Sequence, residues 1–193
     1  MVVPGMQWTV QAASERVSTE LVLVGGQIAV GKTSAAQGIA ARGGARVVLV
    51  RRALEEILGG SAWDRRRLQL EGAALDQRSN GRWLLDYLGE VIEHGGRVVV
   101  DAARTRRQVE PIMQSVSDAQ LVFLAASEST RRRRYSRAGE TDAVKRSMAF
   151  DEAIAHTTEA EAATIRSMAG LVIDTDDLTV EQVVDEACRF LRW

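Results

Sequence analysis

The residues of this chain with the most specific chemistry are Gly26-Gln27-Ile28-Ala29-Val30-Gly31-Lys32-Thr33, which satisfy the pattern G-x-x-x-x-G-K-[ST]. Glycines at its two ends permit a loop whose successive backbone N–H groups turn inward, and such a nest binds phosphate oxygens. A helix opening at Thr33 adds the positive end of its dipole to the same spot. Lys32 supplies a mobile positive charge for the β- and γ-phosphates of a nucleoside triphosphate, and the Thr33 hydroxyl, followed by Ser34, is suited to ligating Mg²⁺. Lysine is otherwise nearly absent: Lys32 and Lys145 are the only two among 25 basic residues, the rest being arginine.

A second chemical group is Asp101, which closes the apolar run Arg97-Val98-Val99-Val100-Asp101. Acidic groups at strand ends converge on the nucleotide in folds of this kind, so Asp101 either holds Mg²⁺ through water or accepts the proton of an acceptor hydroxyl. The plainer reading is an aspartate capping the helix that begins near Thr105. Ala102 follows it, where motor-type ATPases place a water-polarising glutamate, and this favours transfer to a bound acceptor over hydrolysis.

The third group is the run Arg131-Arg132-Arg133-Arg134-Tyr135-Ser136-Arg137. On a helix Arg133 and Arg137 share a face at i,i+4, and Arg134 and Arg137 share one at i,i+3. Arg134 and Arg137 closing over the transferred phosphoryl group, with Arg133 on the nucleotide, would neutralise charge and exclude water. The competing readings are a solvated charged face and a nucleic-acid patch, the latter weakened because Tyr135 is the only aromatic in the run. For an acceptor there remain Arg51 and Arg52 at the end of the second apolar run, Arg104 three residues beyond Asp101, and Asp76, Arg78 and Arg82 in a polar connecting stretch. Trp83 either stacks on a base or, as Leu84 and Leu88 suggest by continuing its apolar face, anchors its helix.

Short apolar, β-branched runs must position these groups: Leu21–Gly25, Arg46–Val50, Arg97–Asp101, Ala119–Ala125 and Leu171–Asp174. Each is followed by a helical pattern, and their continuous apolar character fits strands buried on both faces of a parallel sheet. Leu84, Leu88, Val91 and Ile92 form one helical stripe; Val109, Ile112, Met113 and Val116 form another. Val180, Val183, Val184, Ala187, Cys188 and Leu191 form the last, which makes Cys188 a core residue rather than a nucleophile. The expectation is a three-layer α/β domain over residues 20–193, with a loose N-terminal arm at 1–19.

Composition bounds the partners. With 193 residues, 46% of them apolar, the chain suffices for one well-buried domain. A net charge of −1 offers no global field for nucleic acid. One cysteine allows no intrachain disulfide, and His94 and His156 stand alone, without metal-ligand spacing. No apolar stretch approaches a membrane span, so a cytoplasmic protein is expected.

Taken together these residues resemble the P-loop nucleoside and nucleotide kinases. The likeness covers nearly the whole chain after residue 20: the phosphate loop Gly26–Thr33, Asp101-Ala102-Ala103-Arg104, the arginine run and the closing Val172-Ile173-Asp174. Asp101…Arg104 looks like the D-x-x-R of deoxynucleoside monophosphate kinases, in which the arginine binds the acceptor. Arg51–Glu56, Gln69-Leu70-Glu71-Gly72…Asp76 and Gly81-Arg82-Trp83 look like the kinase-like domain sometimes fused to adenylosuccinate synthetase. The resemblance implies a P-loop fold with a five-stranded parallel sheet of order 2-3-1-4-5, an acceptor-binding region at about 51–83 and a helical lid at about 128–150. It also implies ATP and Mg²⁺ as cofactors and a loop at 174–177 beside the adenine; the partners expected are a nucleoside triphosphate and a small-molecule acceptor, with a homodimer possible. Many nucleoside monophosphate kinases carry a third glycine where this chain has Ile28-Ala29-Val30. The expected activity is transfer of the γ-phosphoryl to a nucleoside or nucleoside monophosphate. Alternatives are a kinase of another small metabolite such as a sugar acid or coenzyme precursor, a nucleotide-dependent switch, or a polynucleotide-end kinase.

Overall fold

A computed structural model of the chain describes residues 18–60, 65–139, 148–155 and 157–193. Most of the expected arm at 1–19, and the stretch 140–147 of the expected lid, lie outside the described residues. Five strands, β1 (Thr19–Gly26), β2 (Arg46–Leu49), β3 (Gly96–Asp101), β4 (Ala119–Ala125) and β5 (Leu171–Asp174), form one parallel sheet of order β2-β3-β1-β4-β5. This is the expected order. β1 is central, so the loop that follows it leaves from the middle of the sheet.

Alternate residues of the central strands feed two separate cores, as the period of two requires. Leu21, Leu23, Val98, Val100, Leu121 and Phe123 pack with Leu84, Leu88, Val109 and Ile112 on one face. Those helical residues belong to α4 (Trp83–Glu93) and α5 (Arg106–Ser115), and α2 (Val50–Ile57) adds Ala53 and Leu54. Val22, Val24, Val99, Val122, Leu124 and Ile173 pack on the other face, against α1 (Lys32–Gly43) and α9 (Val180–Leu191). Three layers result, and because both sheet faces are covered the strands read as unbroken apolar runs. Cys188 is 2% exposed in the second core. Burial pushes its thiol above the ordinary range, with Arg42 and Arg97 pulling the other way, so it is a packing residue and not a nucleophile.

Two local features set the helices that flank the cleft. Thr105 caps α5, its Oγ1 accepting from the Gln108 amide at 3.3 Å. Pro111 within α5 has no N–H to give the Arg107 carbonyl, and Gly81, at φ 75°, comes so close there that a Cβ would lie 2.2 Å from that oxygen. Val50, expected as the end of β2, instead starts α2. Among the described residues no helix is long and apolar enough to cross a membrane.

Candidate active site

The phosphate loop follows β1 directly and runs into α1. Gly26 has φ 133°, and a Cβ there would sit 2.4 Å from the Leu124 carbonyl, so only glycine fits. Gly31, at φ 95°, precedes α1 as its N-terminal cap residue. Ala29 is also left-handed, with φ 63°, at a place where an L side chain is strained. Lys32 is buried, and its Nζ donates to the Gln27 carbonyl at 2.6 Å, which folds it over the loop. Thr33 and Ser34 are exposed at the first turn of α1.

Beside the loop is a cavity of about 280 Å³, lined by Ala29, Val30, Gly31 and Ser34 from the loop and α1. Its other walls are Arg134 and Ala138 of α6 (Glu128–Gly139), and Thr175, Leu178 and Val180 beyond β5. Apolar walls with one guanidinium plane suit a stacked nucleobase. The loop at 174–177 therefore contributes to this cavity, through Thr175.

The arginine run divides among four environments. Arg134 donates to Thr175 through both Nη atoms, at 2.8 Å to the hydroxyl and 2.6 Å to the carbonyl, and so stands at the cavity. Arg132 turns outward to Asp151 of α7 (Phe150–Ile154) and to Glu128, lies 4.7 Å over the Phe150 ring, and is held above its ordinary pKa by those carboxylates. Arg133 and Arg137 are exposed. The inward member is Arg131, buried, with an Nε that has no hydrogen-bond partner. Spacing did not single out Arg131; the buried positions of α6, with Tyr135 one turn on, identify it.

Asp101 ends β3 opposite Val24 of β1, two residues before Gly26. Thr105 takes the capping role considered for it, and among the described residues no donor reaches the Asp101 carboxylate. It is an uncommitted carboxylate at the foot of the phosphate loop. Asp101 and the Thr33 hydroxyl are hard oxygen donors, the set Mg²⁺ takes when phosphates and water complete its shell. Among the described residues no cluster of three or more His, Cys, Asp or Glu offers another metal site.

The acceptor candidates separate by environment. Arg104 is half-buried and meets Glu159 of α8 (Thr157–Thr164) at 3.4 Å. Arg51 pairs with Glu55, Arg82 with Asp86, and Arg52 and Arg78 are exposed. Asp76, read from the sequence as a substrate ligand, is buried and already committed. It accepts from Trp83 Nε1 at 2.6 Å, Thr105 Oγ1 at 3.0 Å and Gln108 Nε2 at 2.9 Å. It ties α3 (Arg65–Ser79) to α4 and α5, and Trp83 is its anchor rather than a stacking platform. Two turns earlier on α3, Gln69 is buried with neither amide atom hydrogen-bonded.

No protein-family model matches the chain, and no curated protein matches its sequence. Solved structures do match in fold. A gluconokinase from Sinorhizobium meliloti 1021 is 20% identical, with 92% of this chain and 94% of that chain covered and a TM-score of 0.54. A shikimate kinase from Bacteroides thetaiotaomicron is 16% identical, with 90% and 98% covered and a TM-score of 0.62. A sugar kinase from Janibacter sp. HTCC2649 is 19% identical, with 90% and 95% covered and a TM-score of 0.54. What the chain shares with them at these identities is the fold, that of the P-loop kinases.

Proposed function

We propose that this protein is an ATP- and Mg²⁺-dependent kinase that phosphorylates a hydroxyl group of a small metabolite in the class of sugar acids and related hydroxy acids. The observation that carries the reading is the Asp101 carboxylate, uncommitted among the described residues, at the foot of a complete phosphate loop. A phosphate acceptor needs little base catalysis, whereas an alcohol benefits from a carboxylate placed to take its proton. The solved neighbours, named as a gluconokinase, a shikimate kinase and a sugar kinase, support the same acceptor class over a nucleoside or nucleoside monophosphate.

The cavity between Val30, Arg134 and Leu178 takes the base, with Arg134 over its face. Loop amides and Lys32 hold the phosphates, and Lys32 exchanges its bond to Gln27 for phosphate oxygens. Thr33 would hold Mg²⁺, with Asp101 reaching it only through water, and the ion would offset the charge of the phosphates. The acceptor hydroxyl oxygen attacks the γ-phosphorus, the bond from that phosphorus to the β-bridging oxygen breaks, ADP leaves, and the hydroxyl proton passes to Asp101. Arg104, half-buried beside Glu159, binds the acceptor's carboxylate, and Arg131 supplies positive charge from α6.

The test is acceptor-dependent ADP release over a panel of sugar acids, cyclic hydroxy acids, nucleosides and nucleoside monophosphates. Stimulation by a hydroxy acid, abolished in Lys32→Ala, is the expected result. Stimulation by nucleosides or their monophosphates alone would return the acceptor to the nucleotide class. Tight MgATP binding with no stimulation by any acceptor would make the protein a nucleotide-dependent switch.

A further inference from the structure

A buried carboxylate outside every recognised motif lies between the two halves of the site. Glu159 is 2% exposed, and its two oxygens serve different elements: Oε2 accepts the Ile28 amide at 2.6 Å, and Oε1 faces the Arg104 guanidinium at 3.4 Å. The partners are 131 and 55 residues away along the chain, so only the fold assembles the trio. A buried carboxylate is costly unless its charge is matched and its lone pairs are used, and here the Ile28 amide and the Arg104 guanidinium contribute to both.

Its place along the loop is set by the base cavity. That cavity touches Ala29, Val30 and Gly31 but not Ile28. With the base in that cavity, the coupling proposed below puts the γ-phosphoryl on the Ile28 side of the loop, beside the Glu159 carboxylate.

We propose that Glu159 is a positioning residue that couples the phosphate loop to the acceptor side. One oxygen fixes Ile28 in the loop; the other holds Arg104 toward the acceptor and cancels its charge next to the γ-phosphate. The inference rests on the loop being a nucleotide site and deepens the kinase reading. Glu159→Gln keeps an oxygen for Ile28 but releases Arg104 to the triphosphate, so the triphosphate gains a cation that the diphosphate, being shorter, does not reach.

The experiment is calorimetric binding of MgADP and of the Mg²⁺ complex of the β,γ-imido analogue of ATP to the full chain, in the wild type, Glu159→Gln, Arg104→Ala and the double variant. Glu159→Gln is expected to leave MgADP affinity within about twofold and to tighten the triphosphate analogue about tenfold, the size of one partly screened charge pair. The double variant is expected to lose that gain. Parallel weakening of both nucleotides in Glu159→Gln, an unchanged ratio, or a gain that survives the loss of Arg104 would each overturn the proposal. Should Glu159→Gln fail to fold, Arg104→Ala alone decides: it is expected to weaken the triphosphate analogue selectively, because the Glu159 carboxylate then loses the Arg104 counter-charge, and no selectivity overturns the coupling. These affinities are read without any acceptor, so they stand apart from the search for one, and a failure here leaves the phosphoryl-transfer reading intact.

Discussion

Arg134 holds Thr175 twice, and the Thr175 hydroxyl is also within 3.4 Å of the Val30 carbonyl and 3.0 Å of the Ala125 carbonyl. Helix α6, the loop after β5 and the phosphate loop thus meet at one side chain, beside the cavity proposed for the base. Arg134→Ala removes both the guanidinium plane and the link to Thr175. It is expected to raise the KM for ATP about tenfold, consistent with one stacked cation on a partly desolvated ring, while the acceptor KM stays within about twofold. Steady-state kinetics with each substrate varied in turn check this, and an effect confined to the acceptor would refute the assignment of the cavity.

Asp101→Asn keeps the shape of the side chain and removes its basicity. If Asp101 takes the acceptor proton, kcat falls about 10²–10⁴-fold, the usual contribution of a general base, with nucleotide affinity little changed. A rate loss under threefold, read from initial velocities at saturating substrates, would remove Asp101 from the chemistry.

Asp76→Ala is expected to destabilise the fold rather than alter catalysis alone. It leaves the Trp83, Thr105 and Gln108 donors without their acceptor, and a buried unsatisfied donor costs about 1–3 kcal/mol. Denaturant titration should show a loss of about 3 kcal/mol. Unchanged stability with a raised acceptor KM would restore Asp76 to the substrate side.

Gln69 supplies the opposite case. Its amide is buried and unbonded, so Gln69→Met, of similar shape and without the polar atoms, should stabilise the protein by about 1 kcal/mol. The chemical-denaturation midpoint reads this directly. A loss of stability would mean that the amide finds partners in solution.

Ala29 occupies a left-handed conformation within the phosphate loop. Ala29→Gly relieves strain of about 1 kcal/mol and adds freedom to the unfolded chain, so stability should change by less than about 1 kcal/mol and MgADP affinity should be kept or improved. A tenfold loss of MgADP affinity by calorimetry would show that the alanine methyl makes a contact the nucleotide needs.

The sequence by itself determined the sheet and the phosphate loop, because both depend on local rules. β-branched runs long enough for one strand, helical stripes between them and glycines at two ends of a lysine-bearing turn leave few alternatives once right-handed crossovers are required. Cys188 as core and Trp83 as anchor were legible from helical spacing alone. Tertiary structure decided which charged groups serve the site. The arginine run is uniform in sequence, yet α6 buries Arg131, gives Arg134 to Thr175 and ties Arg132 to Asp151, because a helix shows one face to the interior and the others to solvent. Asp76 reads as a ligand until the fold surrounds it with three donors. Glu159, in the weakly patterned stretch Thr157–Thr164, carries no motif; its role follows from meeting Ile28 and Arg104 across 131 and 55 residues, and such distant pairings are set by packing, not by local sequence.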